Sequence, residues 1–210
     1  ARQAVGQALE YIHRGLNYIV DTDLKSFFDE VDHCLLMNLI YKKIQCKTTL
    51  KLIRNWLKAP IKINEKLQKR RKGVPQGSPL SPLLSNILLH ELDKEMTRRG
   101  HKFVRYADDF SIYCKSENQA KATRVVIEKF LKNKLKLTIN QEKSGIRKPV
   151  NFTILGFSFV PTYEKGSKNQ YQLVVGEKAW KKLKERLKSI TRKTTPATMN
   201  ERFAKLKQVQ

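Results

Sequence analysis

The sequence predicts an α+β domain built on an antiparallel sheet. Apolar, β-branched runs of strand length alternate irregularly with helical spacing, in the order strand, helices, hairpin, helix, strands. Phe103–Tyr106 and Phe110–Cys114 are joined only by Ala107-Asp108-Asp109, a link short enough for a hairpin and far too short for a parallel crossover. Hydrophobic residues make up 40% of the 210 positions, enough for a sizeable core.

Each element has its own signature. Residues 1–14 place Ala4, Ala8 and Ile12 on one helical face, closed near Gly15. Tyr18–Leu24 reads as a mostly buried strand. Asp32 caps a helix carrying Leu35, Leu36, Leu39 and Ile40, and a second helix over Thr49–Lys58 aligns Leu50, Ile53 and Leu57. Residues 59–72 form a basic hairpin or loop, and 73–82 are irregular, with Gly73, Pro75, Gly77, Pro79 and Pro82. Ser81-Pro82 reads as an N-cap with Pro at the first helical position. That helix carries Leu84, Ile87, Leu88 and Leu92 inward and stops at Gly100. Ser116-Glu117-Asn118-Gln119 is a capping-box pattern opening a helix to about Lys134, with Val126 and Phe130 inward. Phe152–Val160 and Tyr171–Val175 are strands flanking a polar loop with Gly166. From Glu177 a basic helix aligns Trp180, Leu183, Leu187 and Ile190, and a subdomain boundary falls near 176.

Charge narrows the class. Lys and Arg number 43 against 19 acids, a formal +24, which points to a polyanionic partner. The excess is concentrated. Residues 42–72 hold twelve basic residues against Glu65 alone, and 177–210 hold eleven against three acids. No apolar run approaches the length of a membrane span, so a membrane is not an expected partner. Arg2, Glu10 and Arg14 in the first turns are unlike a signal peptide. Cys34, Cys46 and Cys114 lack CxxC spacing, which fits a reducing, cytoplasmic setting. The start at Ala1, running straight into helix-like sequence, reads as an excised piece.

Against this basic background the acids cluster, as Asp21/Asp23, Asp29/Asp32 and Asp108/Asp109. Adjacent carboxylates in a tight turn repel each other, and a divalent cation removes that penalty. Asp23, at the end of a separate strand, would complete an oxygen-rich site suited to Mg²⁺.

The flanking residues are more specific. Tyr106-Ala107-Asp108-Asp109 resembles the YxDD signature of reverse transcriptases, and Asp21–His33 their preceding metal-binding block. Gly73-Val74-Pro75-Gln76-Gly77-Ser78-Pro79-Leu80-Ser81-Pro82-Leu83-Leu84-Ser85-Asn86 resembles the template- and nucleotide-binding block of the group II intron branch. Leu137–Ser144 and Leu155–Phe159 resemble later motifs of that branch, in the family's order. The resemblance covers roughly residues 18–160.

The resemblance implies a right-hand polymerase palm whose antiparallel sheet carries the acids, with helices on the opposite face. Residues 1–176 would be palm with partial fingers, and 177–210 the start of a helical thumb. The implied reaction is addition of dNTPs to a DNA primer 3′-hydroxyl on an RNA template. Two Mg²⁺ ions assist, and Mn²⁺ can substitute. Asp23, Asp108 and Asp109 match the catalytic metal-binding aspartates, and Leu24 a carbonyl ligand. Lys25, Ser26 and Phe27 lie along the incoming triphosphate, with core packing the alternative for Phe27. Phe28 matches a steric gate beneath the sugar; Gln76 and Gly77 match nucleotide contacts. Gly73, Pro75, Tyr106, Leu155, Gly156 and Phe157 match template or primer contacts, with hairpin packing the alternative for Phe157. Lys143 matches a catalytic acid, with plain phosphate contact the alternative. Asp21 and Asp29 are expected to face outward or cap. The family's triphosphate-binding Arg and Lys upstream, and its maturase and endonuclease regions, are missing from the match. Intron RNA is the further partner implied. Two rivals stay open: a maturase scaffold with a vestigial site, and a retron, diversity-generating or CRISPR-associated enzyme.

Overall fold

The computed structural model describes residues 1–63, 66–162, 170–194 and 196–209. Helix α1 (Arg2–His13) buries Val5, Ala8 and Ile12 on one stripe, and β1 (Tyr18–Thr22) follows. A single turn, α2 (Phe27–Glu30), leads to α3 (His33–Tyr41), where the Asp32 carboxylate accepts from the Leu35 N–H at 2.8 Å. α4 (Lys47–Lys58) precedes the antiparallel pair β2 (Ile61–Ile63) and β3 (Lys66–Gln68), the first of the two alternatives, hairpin or loop, that the sequence leaves open. α5 (Ser81–Arg98) leads into β4 (Lys102–Tyr106) and β5 (Asp109–Cys114). α6 (Glu117–Phe130) runs on through a π-helical turn, Leu131–Leu135. β6 (Gly145–Arg147), β7 (Thr153–Ile154), β8 (Phe157–Pro161) and β9 (Tyr171–Val175) are followed by α7 (Glu177–Thr191) and α8 (Met199–Lys207).

The central sheet has the order β4-β5-β1-β6, and every pair is antiparallel. Its side chains divide by the strand period of two. Val20, Phe110 and Ile112 pack with Leu36 of α3, Leu84, Leu88 and Leu92 of α5, and Ile127 of α6. Ile19, Val104 and Tyr113 face the other way, onto α1 and the buried Phe152 and Phe159. Those two rings stack at 5.9 Å between centroids. So the acid-bearing face is not bare. α1 and the β7-β8-β9 sheet cover its apolar half and leave its acidic end open.

Several local expectations change. Ser81 is not the cap: α5 begins at Ser81 itself, and the buried Ser81 hydroxyl donates to the Pro75 carbonyl. Inside the domain that carbonyl outcompetes the helix end. The capping box at Ser116 is half made, because Gln119 accepts from the Lys115 N–H rather than from Ser116. On α6 the fully buried face is Ala120, Thr123 and Ile127; Phe130 packs against the same core from its edge, as expected, and Val126 is only half-buried. Phe152–Val160 is not one strand: Leu155 (φ 50°) and Gly156 (φ 83°) turn it back on itself. Trp180 is 49% exposed with Lys184 above its ring, and α7 buries no residue fully. The loop with Gly166 lies outside the described residues. Among the described residues no helix is long and apolar enough to cross a membrane.

Candidate active site

Strand pairing builds the site. Asp21 lies opposite Ser111 on β5, and Tyr106 opposite Asp109 at the hairpin mouth. By alternation Asp21, Asp109 and Ser111 share one face. Asp23, just past β1, is fixed through its backbone: its N–H donates to Ser144 Oγ at 2.9 Å, and its carbonyl accepts from the Asn140 N–H at 2.9 Å. Lys25 N–H donates to the Thr138 carbonyl at 2.9 Å. Leu24 bridges Ile139, but the bonds on either side are made by its neighbours, so that pairing does not use the Leu24 carbonyl.

These residues open onto a cleft of about 410 Å³ lined by Asp21, Asp23, Tyr106, Asp109, Lys143 and Lys178, with Thr153–Leu155 as one wall. Partial burial pushes the Asp109 carboxyl above its ordinary value. Asp108, Asp23 and Asp21 push it the same way, and only Lys143 opposes. The Lys143 ammonium stands 3.9 Å from Asp23 Oδ2. Burial also raises Asp21, opposed by Arg147, whose Nε donates to Asp21 Oδ2 at 2.7 Å. Asp21 therefore does not face outward as expected: it is two residues from Asp23 and shares its side of the strand. Asp108 occupies the turn, half-buried and outside the cleft lining. Among the described residues no three His, Cys, Asp or Glu side chains are grouped closely enough to enclose an ion alone. The donor set is nonetheless all hard oxygen, and Lys143 and Arg147 offset its charge only in part, which fits a divalent cation.

Phe28, Gln76 and Gly77 come together around a second cleft of about 500 Å³. Gln76 also borders a basic pocket with Asp29 and Lys69 to Lys72. Phe28 is half-buried, edge-on to Phe27 at 5.5 Å, while Phe27 itself is core. Lys25 and Ser26 are exposed, and Ser26 sits in the left-handed region at φ 46°. Gly73 is bound to the backbone beneath it. Its N–H donates to the Val31 carbonyl at 2.7 Å, its carbonyl accepts from His33 Nε2 at 2.7 Å, and a Cβ there would meet the Asp29 carbonyl at 2.8 Å. Pro75 accepts from Ser81. At the far side the Gly156 carbonyl accepts from the Gly176 N–H at 2.7 Å, so the Leu155-Gly156 turn is tied to the start of α7. Leu155 lines the first cleft, whereas Gly156 and Phe157 do not.

The sequence by itself singles out neither Ser144, Arg147 nor Lys178. Lys178 is one of eleven basic residues in its segment, and nothing local marks the one that reaches the cleft. Arg147 lies 126 positions from Asp21. Ser144, at the end of the Leu137–Ser144 motif, is the accessible one.

A sheet that presents carboxylates from two paired strands to one open cleft, beside a basic lobe, defines a nucleic-acid polymerase palm. The chain belongs to the reverse transcriptase (RNA-dependent DNA polymerase) family, whose model matches residues 5–159. It is 31% identical to the group II intron-encoded protein LtrA of Lactococcus lactis, over 66% of this chain and 34% of that protein. It is 33% identical to the retron Mx162 reverse transcriptase of Myxococcus xanthus, over 53% of this chain and 25% of that one. The chain thus spans about a third of LtrA's length. Telomerase from Candida tropicalis shares the fold at a TM-score of 0.65, with 14% identity, over 99% of this chain and 40% of that one. Telomerase from Candida albicans, in complex with a fragment of telomeric RNA, does so at 0.63 with 15% identity, over 90% of this chain and 38% of that one.

Proposed function

We propose that this chain carries the catalytic centre for RNA-templated DNA synthesis in a group II intron-type protein. The carrying observation is the 410 Å³ cleft where Asp23 and Asp109 meet, with the Lys143 ammonium beside them. A protein that only bound RNA would gain from basic residues there, because carboxylates repel phosphate. Asp23, Asp109 and Asp108, with the Leu24 carbonyl, would hold Mg²⁺, or Mn²⁺ in its place. Two such ions, when bound, acidify a primer 3′-hydroxyl and neutralise a leaving pyrophosphate.

The chain's own residues do the rest. The Asp23 backbone, clamped by Ser144 and Asn140, fixes where the primer end and the triphosphate meet. Lys143 keeps a proton within reach of the departing pyrophosphate. Phe28 fills the space beneath the sugar, where a 2′-hydroxyl would find neither room nor a hydrogen bond, and Gln76 and Gly77 border the same space. Lys25 and Ser26 stand along the triphosphate. Gly73, Pro75 and Tyr106 border the template and base pair, and Leu155, Gly156 and Phe157 the primer end. Residues 1–176 act as palm with partial fingers, and 177–210 begin a thumb. Template RNA, DNA primer, dNTP and intron RNA are the partners, in the cytoplasm. A retron-type enzyme is the second reading, favoured by the Mx162 likeness.

The test is primer extension by the full-length gene product on an RNA template with dNTPs and Mg²⁺, beside an Asp108→Asn/Asp109→Asn control. Extension that vanishes in the control supports the reading. No extension, with salt-sensitive RNA binding retained, points to the scaffold maturase instead.

A further inference from the structure

Arg105 lies on β4 on the opposite side of the sheet from the cleft, and its side chain is only 14% exposed. It makes four bonds. Nε donates to Asp93 Oδ1 at 2.7 Å and Nη2 to Asp93 Oδ2 at 2.6 Å, a bidentate pair with the middle of α5. Nη1 donates to Asn86 Oδ1, also on α5, and to the Ala107 carbonyl, both at 2.9 Å.

Ala107 is the first of two loop residues between β4 and β5, and it has φ +57°. Asp108 has no positive φ. That is the II′ pattern, whose first position favours glycine. An alanine holds it only if something else does. The Ala107 carbonyl belongs to the peptide that leads into Asp108, so an acceptor fixed there sets the plane from which both aspartates project. A guanidinium is a rigid fork that can bond a carboxylate, an amide oxygen and this carbonyl at once; an ammonium cannot span all three.

We propose that Arg105, oriented by Asp93 and Asn86, is a positioning residue: it locks the strained Ala107-Asp108-Asp109 turn to α5 and so sets the two carboxylates. Its effect on rate rests on the polymerase reading above, but its effect on the turn does not.

The test uses Arg105→Lys, which keeps a cation beside Asp93 and gives up the fork. The expected result is faster amide hydrogen exchange at 107–109, with α5 and the middle of β5 exchanging as before. Nucleotide addition at saturating dNTP should fall at least tenfold, with KM for dNTP and primer–template affinity within twofold. A general loss of stability would raise exchange everywhere instead, and would overturn the proposal. So would unchanged exchange at 107–109, whatever the rate does. If the unsubstituted protein extends no primer, the polymerase reading fails while the exchange measurement still decides this one. If Arg105→Lys does not fold, Asn86→Ala, which leaves the Asp93 pair intact, carries the same measurement. Exchange at 107–109 unchanged in that variant overturns the proposal.

Discussion

Gly73 and Gly77 lie four residues apart in one loop, both with positive φ, 85° and 82°. Their surroundings separate conformation from steric fit. A Cβ at Gly77 meets nothing within 4 Å, whereas one at Gly73 falls 2.8 Å from the Asp29 carbonyl and 2.9 Å from Asp29 Cα. Gly77→Ala should therefore cost about 1–2 kcal/mol of stability, the strain of a left-handed L-residue alone. Gly73→Ala should cost more than that, and it should also detach the loop from α2. Urea unfolding of the two variants checks the order; equal losses would mean that the close backbone approach at Gly73 relaxes freely. Phe28 is the residue-scale test of selectivity. It is half-buried beside Gln76 and Gly77, and Phe28→Ala opens that space. The ratio of dNTP to rNTP incorporation should drop about tenfold or more, the lower end of what a shaped pocket gains by excluding one small group. An unchanged ratio rules out the gate.

At the scale of elements, α5 links the Ala107-Asp108-Asp109 turn to the fold. Three of its residues, Asn86, Asp93 and Glu95, use their charge or amide differently. The first two hold Arg105. Glu95 instead pairs with Arg98 and Arg99 near the helix end, and those hydrogen bonds hold its carboxyl down at about 2. The folded carboxyl is the stronger acid, so it contributes stability above its unfolded value near 4.5, lost as pH falls toward 2. The covering groups are surface arginines, so solvent screening leaves the pair only a small contribution. Glu95→Gln should lower stability at neutral pH slightly and flatten the acid limb between pH 4.5 and 2 by the same small amount. Most of these elements are legible in the sequence, because burial marks them locally: β1 and β5 are short, mostly apolar runs, and Leu84, Leu88 and Leu92 recur every four residues. Failures occur where a distant partner decides. Ser81 looks like a cap until the Pro75 carbonyl claims it. The turn at Leu155-Gly156 interrupts an otherwise continuous apolar run, and only its motif hints at it. Asp21 shares the parity of Asp23, which is visible in the sequence; what hides its role is Arg147, 126 residues away.

At the scale of the whole molecule, two charge systems meet. A chain of net +24 surrounds a cleft whose aspartates repel one another. The basic residues attract a polyanion diffusely and are screened by salt, while the carboxylates repel phosphate. Binding and chemistry should therefore separate under mutation. Neutralising Lys69, Arg70, Arg71 and Lys72 together removes four cations bordering the pocket shared with Gln76. The slope of log affinity for single-stranded RNA against log salt should become shallower by up to about 3, at roughly 0.7 per phosphate contact. Asp109→Asn should do the opposite to binding: one repulsive charge leaves the cleft, so RNA affinity at low salt holds or rises and the salt slope stays unchanged, while nucleotide addition is lost. Fluorescence-anisotropy titrations over about 50–200 mM salt, run beside primer extension, read both. If Asp109→Asn weakened RNA binding as much as it weakened extension, the carboxylate would be holding the fold rather than opposing phosphate. If the four-residue change left the slope intact, RNA would be held elsewhere, and the basic segment around α7 and α8 would become the next surface to neutralise.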